Sequence, residues 1–230
     1  MNIRGLQKTS LIDYPPNVVS VVFTGGCSFR CPFCHNPGLV LKHETLPRID
    51  EKELLKQLLE KRQWIDGVCI TGGEPCMQKD LPEFCSALKE LNFLVKLDTN
   101  GSYPAMLKYL IENRLIDYIA MDIKSSKTNY SKAAGTKVNI KDIEKSIELI
   151  KTSSIDYEFR TTAVPKFINK KEIFKIAKWI TPAKRYCIQQ FRNKTALVDK
   201  KMQDIEPHSN TELQHLADIA KPYFKEVIVR

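Results

Sequence analysis

Short apolar runs alternate with amphipathic stretches along most of the chain. Residues 18–23 are apolar and β-branched, which predicts a strand, whereas residues 50–64 place leucines three and four positions apart, which predicts a helix. The same alternation predicts further strands at 68–71, 94–97, 118–121, 157–162, 186–189 and 226–229, and further helices at 81–91, 104–113, 140–152, 170–180 and 211–223. This order favours a mostly parallel sheet, because parallel neighbours need a crossover connection.

Polar and glycine-rich residues follow four of the predicted strands, at 24–27, 71–75, 98–101 and 122–124. Any one such turn is common between a strand and a helix for backbone reasons alone. Four in succession indicate the carboxyl edge of a parallel sheet, where α/β proteins bind their ligands. The pattern therefore predicts a binding site built from these strand ends.

Length and composition restrict the class of protein. The chain has 230 residues, of which 43% are hydrophobic and 27% charged, as in ordinary globular domains, and no composition shift divides it. No apolar stretch reaches the roughly 18 residues of a membrane span, and the N-terminus has no secretory pattern. We therefore expect a single domain over 1–230, cytoplasmic and without a membrane partner. The net charge of +9 suits an acidic protein surface or nucleic acid.

Three of the seven cysteines crowd into eight residues, with the spacing Cys27-x3-Cys31-x2-Cys34. This is poor material for a disulfide framework, and thiolates select zinc, copper(I) or iron–sulfur clusters. A structural zinc site normally needs a further pair of cysteines or histidines, and His35 directly follows Cys34. A cubane cluster on three cysteines leaves one iron open for a small molecule, so we favour it over zinc. We expect the other four cysteines to be small buried apolar residues: Cys69, Cys76, Cys85 and Cys187.

The cysteine motif, with Phe33 before its last cysteine, resembles the signature of the radical S-adenosylmethionine (SAM) enzymes. Residues 5–15 (GLQKTSLIDYP) and 34–37 (CHNP) are similar to the activating enzymes of glycyl-radical proteins, in particular the branch that serves anaerobic ribonucleoside-triphosphate reductases. The resemblance covers nearly the full chain. Ser28 stands where asparagine is usual and Phe33 where tyrosine is usual, and neither is a cluster ligand.

The resemblance implies a fold, two cofactors and a site. The fold is an α/β partial (β/α)6 TIM-like barrel of the radical SAM type, with a [4Fe-4S] cluster held by Cys27, Cys31 and Cys34. SAM chelates the open iron, and one electron from the cluster cleaves it to methionine and a 5'-deoxyadenosyl radical. The implied SAM-binding residues are His35, Asn36, Gly72, Gly73, Glu74, Asp98, Thr99, Asp122, Lys124 and Arg160. Lys124 and Arg160 would meet the SAM carboxylate, although a strand-end arginine is also often a surface ion pair.

The resemblance also implies partners. The protein substrate is a glycyl-radical enzyme, first of all anaerobic ribonucleoside-triphosphate reductase, and a low-potential donor such as flavodoxin or ferredoxin supplies electrons. Residues 193–230 would form a C-terminal extension that caps the barrel. We expect no nucleic-acid partner, because no RNA-binding module is recognisable. The lysines after the fourth strand form either a solvated face or a surface that steers an acidic partner: Lys127, Lys132 and Lys137.

Three alternatives remain open at this point. The chain could activate a pyruvate formate-lyase-like glycyl-radical enzyme instead of a reductase. It could be a radical SAM enzyme that modifies RNA or a small molecule. The non-enzyme alternative is an adaptor that carries zinc on its cysteines.

Overall fold

Eight strands form one sheet in the computed structural model, which describes residues 1–230. The strands are β1 (Ile3–Ser10), β2 (Val19–Thr24), β3 (Gly67–Gly72), β4 (Leu94–Thr99), β5 (Tyr118–Asp122), β6 (Asp156–Ala163), β7 (Ala183–Gln190) and β8 (Phe224–Val229). The helices are α1 (Pro37–Leu41), α2 (Glu51–Glu60), α3 (Leu81–Glu90), α4 (Pro104–Glu112), α5 (Tyr130–Ala134), α6 (Ile140–Thr152), α7 (Lys170–Ile180) and α8 (Asn210–Ala220). None of these helices has both the length and the apolar character needed to cross a membrane.

The strands are hydrogen-bonded in chain order from β1 to β8. β1 runs antiparallel to β2, and every other neighbouring pair is parallel. Helical crossovers connect the six strands from β2 to β7, and β1 does not pair with β8, so the sheet stays open. The partial (β/α)6 barrel predicted from the sequence is therefore confirmed.

Three local features differ from the prediction. β1 was not predicted, because only its two end residues are buried and no apolar alternation marks its middle. The helix predicted over 50–64 ends at Glu60, and Trp64 beyond it is exposed. α1 and α5 were missed because five residues are too few for a helical period to show.

The segment 193–230 contains α8 and β8, and β8 extends the sheet beside β7. Its first part also reaches the loop after β2 (residues 25–36), here called the cysteine loop. The Val198 amide donates to the Cys34 carbonyl at 3.2 Å, and the Asp199 amide to the Pro32 carbonyl at 2.9 Å. The role of this segment as a cap stays a prediction.

Alternation of side chains along the strands separates the main core from the barrel interior. Outward-facing residues pack against the helices, among them Val22, Ile70, Val95, Leu97, Ile119 and Met121. Inward-facing residues near the amino ends of the strands form a smaller apolar cluster: Tyr14, Val19, Val21, Cys69, Tyr118 and Ala120. Further along the same inward positions, toward the carboxyl ends, the side chains are Asp98, Asp122 and Arg160. The strand period thus places charges at one end of the barrel interior.

The ends of β2 and β3 meet at a pair of glycines. The Gly73 amide donates to the Thr24 carbonyl at 2.8 Å, and the Glu74 amide donates to the Gly26 carbonyl at 2.8 Å. A Cβ atom on Gly73 would lie 1.8 Å from the Gly26 carbonyl oxygen, so no other residue fits without moving the backbone. Gly72 has a φ of +113°, which favours glycine. These glycines bring the end of β3 against the cysteine loop.

We predict that Gly73→Ala lowers the free energy of unfolding by about 1–3 kcal/mol, because the new methyl group must push two backbone segments apart. Gly38→Ala is the matched control, since its Cβ would make only an ordinary 3.6 Å contact with Leu46. Urea denaturation of both variants measures the difference. Equal stability of the two variants would contradict the close approach of β3 to the cysteine loop.

A second prediction concerns α2, which packs on the sheet with one face. Leu58 is 1% exposed and its neighbour Leu59 is 51% exposed. Leu58→Ala should cost about 2–5 kcal/mol of unfolding free energy, because it leaves a cavity in the core. Leu59→Ala should change it by less than about 0.5 kcal/mol. Chemical denaturation compares them, and similar costs at both positions would mean that α2 packs with a different face.

Candidate active site

One cavity of about 380 Å³ opens at the carboxyl ends of the parallel strands. All thirteen site residues predicted from the sequence line it: Cys27, Cys31, Cys34, His35, Asn36, Gly72, Gly73, Glu74, Asp98, Thr99, Asp122, Lys124 and Arg160. They come from the cysteine loop and from the ends of β3, β4, β5 and β6. The fold therefore brings together residues that span more than half of the chain.

The cysteine loop is held in place from outside the barrel. The Arg30 amide donates to the Ala134 carbonyl of α5 at 2.8 Å, and a Cβ on Gly135 would lie 2.0 Å from the Arg30 carbonyl oxygen. Together with the bonds from residues 198 and 199, these contacts fix the loop from two sides. All three of its cysteines are free thiols.

Hydrogen-bond donors surround two of these sulfur atoms. The Phe29 amide lies 3.3 Å from Cys27 Sγ, and Asn100 Nδ2 lies 3.7 Å from the same atom. The Asn36 amide lies 3.5 Å from Cys34 Sγ. Such donors stabilise a thiolate more than a thiol.

Burial raises the pKa of Cys27 to about 11 and that of Cys31 to about 12, although the Lys124 ammonium group acts in the opposite direction. Without metal these thiols are therefore protonated at neutral pH, and metal binding must displace their protons. The cysteines are not arranged to hold a single metal ion. The three sulfur atoms fit an iron–sulfur cluster, because they line one cavity and each has either the Lys124 ammonium group or an amide donor near it.

Glu74 is 1% exposed, and its carboxylate holds the end of the next strand. Its Oε1 accepts from the Thr99 hydroxyl at 2.7 Å and from the Cys76 amide at 3.0 Å, and its Oε2 accepts from the Asn100 amide at 2.7 Å. Burial raises the pKa of Glu74, and these three donors counteract that shift. Glu74 thus positions residues 99 and 100 in addition to lining the cavity.

Five charged side chains of alternating sign run across the barrel interior, here called the charge ladder: Lys96, Asp98, Arg160, Asp122 and Lys124. All of them except Lys96 line the cavity. Arg160 Nη1 lies 3.0 Å from Asp98 Oδ2, and Arg160 Nε lies 2.8 Å from Asp122 Oδ1. Lys124 Nζ lies 2.9 Å from Asp122 Oδ2, and Lys96 pairs with Asp98. The ion pairs of Arg160 therefore lie in the barrel interior, where its side chain is 11% exposed, and its contact with SAM stays a prediction.

Within the cavity the charge ladder contributes two cations, Arg160 and Lys124, and two carboxylates, Asp98 and Asp122, so its charges balance there. Burial opposes the ionisation of Asp98 and Asp122, yet Arg160 and the adjacent lysines hold the pKa of both carboxyl groups below its usual value. Arg160 Nη2 and two of the Lys124 protons have no hydrogen-bond partner in the chain. These donors remain available to an anionic group in the cavity.

His35 and Asn36 lie at the other side of the cavity. The His35 ring stacks on Phe191 with centroids 6.4 Å apart, and its Nε2 is 3.0 Å from the Arg192 carbonyl oxygen. Asn36 Nδ2 donates to the Gly72 carbonyl at 3.4 Å. These contacts place the His35 ring beside the residues after β7 and the Asn36 amide against the end of β3.

Several residues of the site were missed in the sequence: Asp13, Asn100, Thr162 and Gln189 line the cavity, and Lys96 pairs with Asp98 without lining it. Lys96 lies in β4 between Val95 and Leu97, and the only signal was a charge at an inward position of an apolar strand. Asn100 follows Asp98 and Thr99 in one of the polar strand ends, and its amide group also donates to the Ser28 hydroxyl at 3.2 Å. Nothing in the sequence indicated that it would reach a cysteine sulfur.

Comparisons with known proteins agree with this arrangement. The Radical SAM superfamily model matches residues 21–180. MJ1227, a candidate glycyl-radical enzyme activating enzyme of Methanocaldococcus jannaschii, is 36% identical over 233 residues, which cover 99% of this chain and 95% of the relative. The pyruvate formate-lyase-activating enzyme of Clostridium pasteurianum is 29% identical over 181 residues, which cover 74% of this chain and 71% of that enzyme.

A solved structure shares the fold. Streptococcus suis SuiB bound to S-adenosylmethionine superimposes with a TM-score of 0.66 at 14% identity, over 90% of this chain and 51% of that one. The chain thus spans about half the length of SuiB, and at this identity the likeness concerns the fold alone.

The superfamily match covers well over half of the chain, and the match to MJ1227 covers nearly all of it. Radical SAM enzymes use a [4Fe-4S] cluster together with SAM, which is consistent with the three free thiols and the charged cavity described above. Membership of an enzyme family, more than the arrangement of the thiols, decides against a zinc-bearing adaptor. The chain belongs to the radical SAM superfamily and, within it, to the activating enzymes of glycyl-radical enzymes.

Proposed function

We propose that this chain activates an anaerobic ribonucleoside-triphosphate reductase by generating a radical on a glycine of that protein. The observation that carries the proposal is the cavity at the strand ends, which is lined by three free thiols, by the cations Lys124 and Arg160 and by the backbones of two glycines. The similarity of residues 5–15 and 34–37 to the reductase-activating branch supports the choice of partner. We expect the reaction in the cytoplasm, with electrons from a flavodoxin or ferredoxin.

In this proposal Cys27, Cys31 and Cys34 hold the cluster. The Phe29, Asn36 and Asn100 donors and the charge of Lys124 stabilise their thiolate forms. When bound, the cluster and SAM supply a 5'-deoxyadenosyl radical, which takes a hydrogen atom from the substrate. The part of this chain is to bind and orient both groups and to keep water away from them.

The remaining residues of the cavity bind SAM. Lys124 and Arg160 donate to its carboxylate, and the two aspartates of the charge ladder hold these cations in place. Gly72 and Gly73 let the backbone approach the amino group, because no side chain stands in the way. His35 and Asn36 lie on the side where the adenine would pack. Glu74 accepts hydrogen bonds from Thr99 and from the Asn100 amide, and Asp98 pairs with Arg160. These contacts hold the ends of β3, β4 and β6 next to one another.

A macromolecular substrate fits this site better than an enclosed small molecule. The sheet runs from β1 to β8 without closing, so the barrel is open between its two edges. A hydrogen atom moves only between groups in contact, so the glycine must enter the cavity on a protruding loop. The name of the Clostridium pasteurianum relative favours a pyruvate formate-lyase-like enzyme as the second candidate partner.

Electron paramagnetic resonance tests the proposal. The reconstituted protein is incubated without oxygen with SAM, dithionite and an anaerobic ribonucleotide reductase, and in parallel with a pyruvate formate-lyase. We expect a glycyl doublet in the reductase that disappears when its radical-bearing glycine is changed to alanine. A doublet in the lyase alone would transfer the proposal to the second candidate. SAM cleavage without a doublet in either partner would overturn both.

A further prediction separates the cluster cysteines from the others. Cys31→Ala should abolish SAM cleavage, because two thiolates cannot keep a cubane with one unique open iron. Cys85→Ala is the matched control, since Cys85 is equally buried but lies in α3 away from the cavity. Iron content and 5'-deoxyadenosine formation are measured for both. A Cys31→Ala variant with full iron content and normal product would show that the cluster ligands are different residues.

A further inference from the structure

A basic and aromatic surface lies outside the cavity, on α7. Lys171, Phe174, Lys175 and Lys178 are spaced i, i+3, i+4 and i+7, so they share one face of this helix, and all four are exposed. The opposite face is buried in the core through Ile173, Ile176, Ala177 and Ile180. A shallow pocket is formed by Phe174, Lys175, Lys178 and Trp179 of α7 together with Lys127, which lies in the loop before α5. These six residues are here called the basic-aromatic face: Lys127, Lys171, Phe174, Lys175, Lys178 and Trp179.

Positive charge is concentrated around this face. Residues 125–140 contain three lysines and no acid, and residues 165–180 contain five lysines and one acid, Glu172. Glu172 is buried and accepts hydrogen bonds from Ser125, Ser126 and Lys175. Lys127 pairs with Glu144, whereas Lys171 and Lys178 have no acidic partner. The face thus attracts an acidic surface.

A lysine lies over one side of each aromatic ring of the face. Lys178 Nζ lies 4.8 Å from the centre of the Phe174 ring, and Lys127 Nζ lies 5.4 Å from that of Trp179. A nucleic-acid base would have to displace these lysines in order to stack on the sides that they occupy. The basic-aromatic face therefore suits an acidic protein better than a single-stranded nucleic acid.

A chain of packed aromatic rings leads from this face to the cysteine loop. Trp179 meets the buried Tyr130 edge-on at 5.9 Å between centroids, and Tyr130 meets the buried Phe29 in the same way at 6.3 Å. The Phe29 amide in turn donates to Cys27 Sγ at 3.3 Å. Close-packed side chains thus connect the partly exposed Trp179 with a cysteine that lines the cavity.

We propose that the basic-aromatic face is the docking site of the electron donor, a small acidic protein that carries a low-potential one-electron centre. This inference rests on the proposed function, which requires a reduced cluster. In the transfer, the donor loses one electron and the cluster gains it; no bond forms or breaks. The lysines attract the donor, and the rings from Trp179 to Phe29 keep the intervening space filled with protein.

The geometry favours the donor over the glycyl-radical partner as occupant. Hydrogen transfer needs contact within the cavity, and the basic-aromatic face does not line it. An electron crosses a few layers of packed side chains, so its donor can bind outside the cavity. Two separate surfaces would also let donor and substrate bind at the same time.

The test compares two double variants with the same change in charge. Lys171→Glu with Lys178→Glu reverses the face, and Lys52→Glu with Lys56→Glu, exposed on α2, is the matched control. Electron paramagnetic resonance follows the reduction of the cluster by reduced flavodoxin at low and at high salt. The affinity of each protein for flavodoxin is measured separately. In a parallel experiment dithionite replaces flavodoxin as the reductant.

We expect the face variant to lose more than about ten-fold in reduction rate by flavodoxin and in affinity at low salt, with a smaller loss at high salt. The control should change less than about two-fold, and dithionite should reduce all proteins alike. Equal losses in both variants, or none, would overturn the docking site. The docking site would also be overturned if the face variant lost glycyl-radical formation or oligonucleotide binding while flavodoxin still reduced its cluster normally. Absence of SAM cleavage with dithionite in the unmodified protein would instead count against the proposed function.

Discussion

The charge ladder across the barrel interior is the interaction on which the site depends. Parallel strands buried on both faces usually carry apolar side chains, and an isolated charge there would be strongly destabilising. Here each aspartate lies between two cations, so that no member of the ladder is left without an opposite charge. The arrangement keeps a polar cavity inside a folded sheet and leaves donors of Arg160 and Lys124 free for a ligand.

Close backbone contacts give the cavity its shape. Gly73 lies against Gly26, Glu74 holds the end of β4, and Gly135 packs on the Arg30 carbonyl. Each contact joins the cysteine loop or a strand end to a different part of the chain. Because these contacts are short, the distances among the thiols and the charge ladder depend on many elements at once. This dependence suits a reaction whose radical must be released next to its hydrogen donor.

The proposed function and the proposed docking site use two different regions of the surface. The cavity opens at the carboxyl ends of the strands, where a substrate loop can enter, and the basic-aromatic face lies on α7. Phe29 belongs to both regions, since it lines the cavity and ends the aromatic chain from Trp179. The cysteine loop is therefore in contact both with the cavity and with the aromatic chain that leads to the basic-aromatic face.

Local periodicity predicted the parallel strands along the chain and the polar residues at their ends. The spacing of the cysteines predicted the cluster motif. β1 was not predicted, since an edge strand with an exposed middle has no apolar pattern. Lys96 and Asn100 became part of the site only through long-range pairing, which sets inward positions and brings β4 beside the cysteine loop. The aromatic chain from Trp179 to Phe29 joins residues 150 positions apart in a chain of 230. Such contacts follow from packing in three dimensions, and only the tertiary structure decides them.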